Sequence, residues 1–113
     1  MSERHELIKS SIESLLLCLI NHQPMYGYQI IKELENRSQG YFRFKEGTLY
    51  PGLHRLEGRG MIQGKWDMLP SGQQRKYYHI TARGAALLEE KRNRWSEFFT
   101  AMNLIISPPE VNT

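Results

Sequence analysis

Apolar residues recur at helical spacing through the first third of the chain. Over residues 7–21 the apolar positions repeat three and four residues apart, and residues 15–20 are apolar on every side. This pattern predicts a first helix that is nearly buried. A second helix is predicted over residues 26–37 and should end at Ser38-Gln39-Gly40, because glycine accepts a left-handed cap. Residues 41–45 are short and aromatic, and we expect them to be extended.

A third helix is predicted over residues 47–58. Leu49, Leu53 and Leu56 lie at positions i, i+4 and i+7 and should form its buried stripe. The opposite face has no bulky apolar side chain to bury, so it is free to meet a partner; it carries Gly47, Pro51, His54 and Gly58.

Two strands follow, predicted over residues 61–69 and 75–81, with a turn-forming loop at residues 70–74. In the first strand Ile62, Trp66 and Met68 alternate with charged positions. A helix followed by a hairpin is the order of a winged helix, in which the helix fits a DNA major groove and the hairpin contacts phosphates.

The last helix is predicted over residues 82–106, with Thr81 as its cap and Pro108-Pro109 as its stop. Its apolar seam resembles a heptad repeat interrupted by one lysine, and consists of Leu88, Lys91, Trp95, Phe98, Met102 and Ile105, widened by Phe99 and Ile106. One small domain cannot bury so apolar a helix. We therefore expect it to pack against a second copy of itself in a two-fold homodimer.

The predicted fold class is mainly α with a small β-hairpin (α+β), built as a winged helix-turn-helix domain plus a C-terminal dimerisation helix. The divisions are residues 1–81 for the winged helix-turn-helix domain, 82–106 for the dimerisation helix and 107–113 for a tail. A chain of 113 residues can hold one domain with a modest core, but no separate catalytic domain.

Charge is distributed unevenly along the chain. The net charge is only +3, but residues 43–84 hold eight Lys and Arg against three Asp and Glu, a local charge of +5. The excess coincides with the predicted helix and hairpin, as a phosphate-binding surface requires. One cysteine, Cys18, excludes an internal disulfide. The sequence also has no secretory signal and no apolar run long enough to span a membrane. Together with the single cysteine, these features indicate a cytoplasmic protein.

Several motifs together resemble the PadR family of bacterial transcriptional regulators. They are Tyr26-Gly27-Tyr28-Gln29-Ile30, Glu46-Gly47-Thr48-Leu49-Tyr50-Pro51, Leu53, Arg55, Leu56, Glu57, Gly60, Ile62, Arg75-Lys76-Tyr77-Tyr78, Ile80-Thr81, Gly84 and Trp95. The single C-terminal helix is similar to the short subgroup, in which this helix makes the dimer. The resemblance implies a repressor that binds a palindromic operator in double-stranded DNA and leaves it on a small-molecule or other signal. Gly52 and Gly58 depart from the usual pattern.

Candidate DNA contacts lie on the third helix. The hydroxyls of Thr48 and Tyr50 could bind phosphates near the positive end of the helix dipole. Thr48 could instead cap the helix, and Tyr50 could be an edge of the core. His54 and Arg55 are the candidates for base edges, since arginine pairs bidentately with guanine. The alternative for Arg55 is a surface ion pair with Glu57 or with a neighbour of Arg59.

On the hairpin, Arg75 and Lys76 should point to opposite faces, so only one of them is expected to touch a phosphate. Gln73 and Gln74 could reach the DNA backbone or the minor groove. Alternatively, these residues form a polar hairpin tip of the kind that most proteins have.

An effector site is expected where the last helix meets the first. In multidrug-responsive relatives a tryptophan at the position of Trp95 stacks on flat ligands, which implies a planar aromatic effector. The candidate residues of this site and of the dimer interface are Leu15, Leu16, Leu19, Leu88, Trp95, Phe98, Phe99, Met102 and Ile105. The alternative is that Trp95 only fills the dimer core.

Catalysis has little support in the sequence. Cys18 lies in an apolar helix, and the four histidines have no metal-ligand spacing, so we expect no enzyme, metal or cofactor. The competing function is a winged-helix protein–protein adaptor without sequence-specific DNA binding, although an adaptor does not need a basic face.

Overall fold

The computed structural model describes residues 3–107, with side chains from residue 11 onward. Its elements are α1 (Glu3–His22), β1 (Met25–Tyr26), α2 (Gly27–Arg37), α3 (Glu46–Gly58), β2 (Ile62–Met68), β3 (Gln74–Ile80) and α4 (Ala82–Ile106). The mainly α class with a small hairpin is confirmed. The predicted Pro108-Pro109 stop and nearly all of the 107–113 tail lie outside the described residues.

The core forms where the first three helices meet the sheet. All three leucines of the α3 stripe are fully buried, which confirms the predicted core stripe. They pack with the most deeply buried residues of α1 and α2, which are Leu16, Leu17, Ile20 and Ile30. Because this leucine stripe packs into the core, the opposite, polar side of α3 faces solvent.

The end of α2 differs in detail from the expected glycine cap. The Ser38 hydroxyl donates to the Leu34 carbonyl at 2.6 Å and accepts from the Phe42 amide at 2.8 Å. Two residues, not one, take the left-handed conformation, Gln39 with φ 54° and Gly40 with φ 84°. The chain then runs without helix or strand to α3, as expected.

A third strand, β1, was not predicted from the sequence. Met25 and Tyr26 pair with Tyr78 and Tyr77 of β3, so the sheet order is β1-β3-β2. The helix predicted to begin at Tyr26 therefore begins at Gly27. A two-residue strand is too short to show alternation, and only its pairing with a distant segment defines it.

The hairpin of β2 and β3, with its loop at residues 69–73, forms a wing. Its register runs from Ile62 opposite Ile80 to Met68 opposite Gln74. Ile62 is buried, but Trp66 and Met68, on the same face, are each 66% exposed. The alternation therefore continues past the edge of the core, and the far half of the wing stands away from it.

The start of α4 is attached to the turn before β2. The Thr81 hydroxyl accepts from the Gly84 amide at 3.1 Å, which confirms Thr81 as the cap, and donates to the Gly60 carbonyl at 2.6 Å. A Cβ at Gly84 would collide with the Met61 carbonyl oxygen, so glycine is required for this close approach. Beyond Trp95 every residue of α4 is exposed.

Candidate nucleic-acid interface

The outer face of α3 is open to solvent. Gly47, Pro51, His54 and Gly58 are all exposed, as the helical pattern predicts. Thr48 is also exposed. It is not the helix cap, because the capping position is Lys45, whose carbonyl accepts from the Thr48 amide at 3.0 Å. The side chains of Thr48 and His54 are thus both available on the accessible side of the helix.

Tyr50 is largely a packing residue. Its ring is half-buried and lies across the first turn of α2, where a Cβ at Gly27 would overlap the Tyr50 hydroxyl and lie 2.7 Å from Cζ. The glycine of the Tyr-Gly-Tyr motif therefore makes room for this ring. The geometry favours the core-edge alternative for Tyr50 over a freely exposed phosphate contact.

Arg55 is held by an ion pair that crosses to α1. Its Nε lies 3.4 Å from Oε1 of Glu13, and Nη1 of Arg59 lies 3.2 Å from Oε2 of the same carboxylate. The ion-pair alternative for Arg55 is therefore what the structure contains, although the partner is Glu13 and not Glu57. Sequence reasoning missed Glu13, because nothing local relates residues 42 positions apart.

Lys76 connects the wing to α3. Its Nζ lies 3.0 Å from Oε1 of Glu57, while the Gly64 amide donates to Oε2 of Glu57 at 3.0 Å. Burial raises the pKa of Glu57, but these two hydrogen bonds and the positive charges of Lys76 and His54 outweigh it and lower the pKa overall. Lys76 therefore has a partner within the chain and is only partly exposed.

Arg75 lies on the opposite face of β3 from Lys76, as alternation predicts. Its guanidinium carbon is 4.4 Å above the centre of the Tyr26 ring, and the side chain is partly exposed. Gln73 and Gln74 are both exposed at the end of the wing. Of the two basic residues, Arg75 is the one without a carboxylate partner among the described residues.

A cleft of about 530 Å³ separates α3 from the wing. Its walls combine aromatic rings with polar and basic groups, namely Tyr26, Gly27, Tyr28, Tyr50, His54, Trp66, Gln74, Arg75, Lys76 and Tyr78. Tyr28, at the start of α2, is 56% exposed. Tyr26, Tyr28 and Trp66 were not predicted as site residues. The Tyr-Gly-Tyr motif and the strand alternation were the signals that could have suggested them.

A second, more apolar groove of about 560 Å³ lies between α1 and α4. Leu15, Leu88, Trp95 and Phe99 are among its walls. The Trp95 indole donates from Nε1 to the Ser14 hydroxyl at 3.2 Å, and its ring stacks on Phe99 at 5.5 Å between centroids. Cys18 also lines it, and burial raises the pKa of its thiol despite the nearby charge of Arg92.

The other candidate effector and dimer residues divide into two groups. Leu16 and Leu19 belong to the core of the chain and do not line this groove, and Leu88, which does line it, is also buried in that core. The exposed candidates lie further along α4 and are Phe98, Phe99, Met102 and Ile105. Leu104 and Ile106, on the same helix, are exposed as well. An apolar surface of this extent is the usual mark of an interaction surface.

Among the described residues, no group of three or more His, Cys, Asp or Glu side chains is arranged to hold a metal ion. None of the helices in that part of the chain is long and apolar enough to cross a membrane.

Comparisons with known proteins agree with the fold. The model of the transcriptional regulator PadR-like family matches residues 16–90. A protein of Lysinibacillus sphaericus, itself uncharacterized, is 36% identical over 103 residues, covering 91% of this chain and 94% of the relative. A crystal structure of a PadR-like transcriptional regulator from Bacillus cereus superposes with a TM-score of 0.80 at 31% identity, covering 90% of this chain and 97% of that one.

A PadR family transcription regulator from Clostridium difficile superposes with a TM-score of 0.75 at 33% identity. The superposition covers 86% of this chain and 99% of that chain. The family model covers the winged helix and the start of α4, and the two superpositions cover 86% and 90% of this chain. The chain belongs to the PadR-like family of transcriptional regulators.

Proposed function

We propose that this transcriptional regulator is a cytoplasmic homodimeric repressor that binds a palindromic operator in double-stranded DNA. The observation that supports this most is the outer face of α3, which is exposed, lacks bulky apolar groups and lies beside a wing that carries Arg75. Each α3 would enter a major groove, and each wing would lie along the flanking phosphates.

The proposed DNA contacts differ in what they would recognise. Thr48, His54 and Arg55 would meet base edges or phosphates from α3, while Gln73, Gln74 and Arg75 would contact the backbone from the wing. Lys76 would act mainly through Glu57, keeping the wing at a fixed angle to α3. Tyr50 would support α3 by packing on α2 and would contribute its hydroxyl only at the margin.

Dimerisation through α4 is the second part of the proposal. Phe98, Met102 and Ile105 are exposed by 50%, 44% and 82% on one side of this helix. Covering them with the same surface of a second chain would remove apolar area from water and give a two-fold axis. A two-fold protein matches an operator with two inverted half-sites.

The third part is control by a planar aromatic ligand in the groove between α1 and α4. Trp95 and Phe99 offer stacked aromatic surfaces there, and Leu15 supplies an apolar wall. A ligand at this site could change the angle between two subunits and so the spacing of the two α3 helices. Ligand and DNA would then weaken each other's binding to the same degree.

The test is selection of fragments from the protein's own genome, followed by gel shifts over a range of salt concentrations. A DNA-binding repressor should retain a few fragments that share an inverted repeat, with affinity that falls steeply as salt rises. An Arg75→Ala variant should lose affinity for every fragment and flatten the salt slope by about one unit. Failure of the wild type to retain any fragment at low salt would favour the protein–protein adaptor.

A further inference from the structure

Two ion pairs connect α1 to the C-terminal end of α3. A single carboxylate, Glu13, bridges Arg55 and Arg59, at distances of 3.4 and 3.2 Å. Arg55 lies in the last turn of α3, and Arg59, four residues later, is the C-cap of that helix. About half of each arginine side chain remains exposed, 56% for Arg55 and 51% for Arg59, whereas Glu13 is only 22% exposed. The carboxylate is therefore the more firmly enclosed member of the cluster.

Arg55 runs past Gly52, where α3 lies close to α1. Gly52 is buried where α3 crosses α1, and a Cβ there would lie 3.2 Å from Cδ1 of Leu16 and 3.8 Å from Nη2 of Arg55. The guanidinium thus passes over Gly52 to reach Glu13. It is drawn back along the flank of α3, not extended from the outer face that holds His54.

We propose that Glu13 competes with DNA for Arg55 and Arg59, and so limits how strongly the α3 surface binds DNA. This inference rests on the DNA-binding function proposed above. Arg55 lies on the helix that would enter the major groove and Arg59 directly follows its last residue, and each side chain has enough rotatable bonds to leave the carboxylate. In the free protein Glu13 reduces the charge of this three-residue cluster from +2 to +1. DNA must displace Glu13 from the two arginines, or it forms weaker interactions with both of them.

The size of the effect follows from the exposure of the pairs. Partly exposed ion pairs are weak, so DNA phosphates can replace them at modest cost. Two such pairs should lower the affinity of the wild type for DNA by about three- to tenfold at moderate salt, compared with a protein that lacks them. If removing Glu13 lets one more arginine neutralise a phosphate, the plot of log affinity against log salt should steepen by about one unit.

The experiment compares wild type with Glu13→Gln, which keeps the size of the side chain and removes its charge. The probe is a short labelled duplex of mixed sequence, titrated over a series of potassium chloride concentrations. Glu13→Gln should bind about three- to tenfold more tightly, with a salt slope steeper by about one unit, and the gain should shrink as salt rises. A thermal unfolding curve verifies that the variant is folded.

A matched control separates this competition from a general change in net charge. Glu33→Gln alters the net charge by the same amount and also breaks an ion pair, the one between Glu33 and Arg37 within α2. It should leave DNA affinity nearly unchanged. In a background of Arg55→Ala with Arg59→Ala, the gain from Glu13→Gln should disappear, because the groups for which DNA and Glu13 compete are gone.

The outcomes distinguish this inference from the proposed function. In one outcome the wild type binds DNA and Glu13→Gln binds no more tightly; in another, Glu33→Gln strengthens binding equally. Either result would overturn the proposed competition by Glu13 and leave the DNA-binding function intact. Weaker binding by Glu13→Gln would mean that Glu13 orients the arginines for DNA, which also overturns it. If the wild type does not bind the duplex even at low salt, both the function and this inference fail.

Discussion

Gly27 of α2 and Tyr50 of α3 make a close contact between these two helices. A Cβ at Gly27 would overlap the Tyr50 hydroxyl and would lie 2.7 Å from Cζ and 3.0 Å from Cε1. The ring is half-buried, and it must shift to admit a methyl group at position 27. In Gly27→Ala we therefore expect Tyr50 to be displaced and the two helices of the helix-turn-helix to lose packing.

The change in the free energy of unfolding is the cost of overpacking minus the gain in helix propensity. Forcing a methyl group into an occupied site costs about 1–3 kcal/mol. Replacing glycine by alanine in a helix returns at most about 1 kcal/mol, and less at a first helical position. The free energy of unfolding of Gly27→Ala should thus fall by roughly 1–2 kcal/mol, which is about 4–8 °C in Tm for a chain of this size.

A double-mutant cycle in urea, followed by far-UV circular dichroism at one fixed protein concentration, tests this directly. Tyr50→Ala removes the ring, so Gly27→Ala in that background should be neutral or stabilising by up to about 1 kcal/mol. An equal loss from Gly27→Ala in both backgrounds would refute the contact as the cause. So would a Gly27→Ala variant as stable as the wild type.

Three further predictions concern the wing, the last helix and the groove. Because the pKa of Glu57 is lowered in the folded state, its contribution to stability is complete above the pKa of the unfolded carboxyl and is lost as pH falls through the folded pKa. Glu57→Gln should therefore reduce the loss of Tm on acidification, and an unchanged loss would contradict the assignment. Ending the chain after Arg94 removes the exposed apolar stretch of α4 and should give an unfolded or aggregated product without specific DNA binding, whereas a folded monomer would exclude α4 as the interface. In a Trp66→Phe background, planar aromatic compounds should quench Trp95 fluorescence and lower DNA affinity; if Trp95→Ala keeps both the ligand affinity and the release from DNA, the site is elsewhere.

The parts of the fold that the sequence predicts are those whose signal is local. The spacing of Leu49, Leu53 and Leu56 identifies both the helix and its buried side, because a 3.6-residue period needs no distant partner. The Thr81 cap follows in the same way from a hydroxyl placed just before a helical pattern. β1 escapes prediction because only its pairing with Tyr77 and Tyr78 defines it.

The candidate site is less predictable for the same reason. The residues on the outer face of α3 follow from the helical wheel, but the partners of its charged residues do not. Glu13 lies next to Arg55 because α1 packs against α3, and Glu57 lies next to Lys76 because the wing packs beside α3. Two of the cations that the sequence suggested as DNA contacts, Arg55 and Lys76, are thus already paired within the chain, which no count of charges along the sequence reveals.

Hydroxyl-radical footprinting of a genomic fragment retained by the protein tests the central claim most directly. Two α3 helices related by a two-fold axis should protect two half-sites arranged as an inverted repeat, with centres about one helical turn, roughly 34 Å, apart or a multiple of it. Flanking protection from the wings should weaken in Arg75→Ala. A uniform loss of cleavage along the whole fragment, or no protection at concentrations that shift it in a gel, would contradict a dimeric operator-binding regulator.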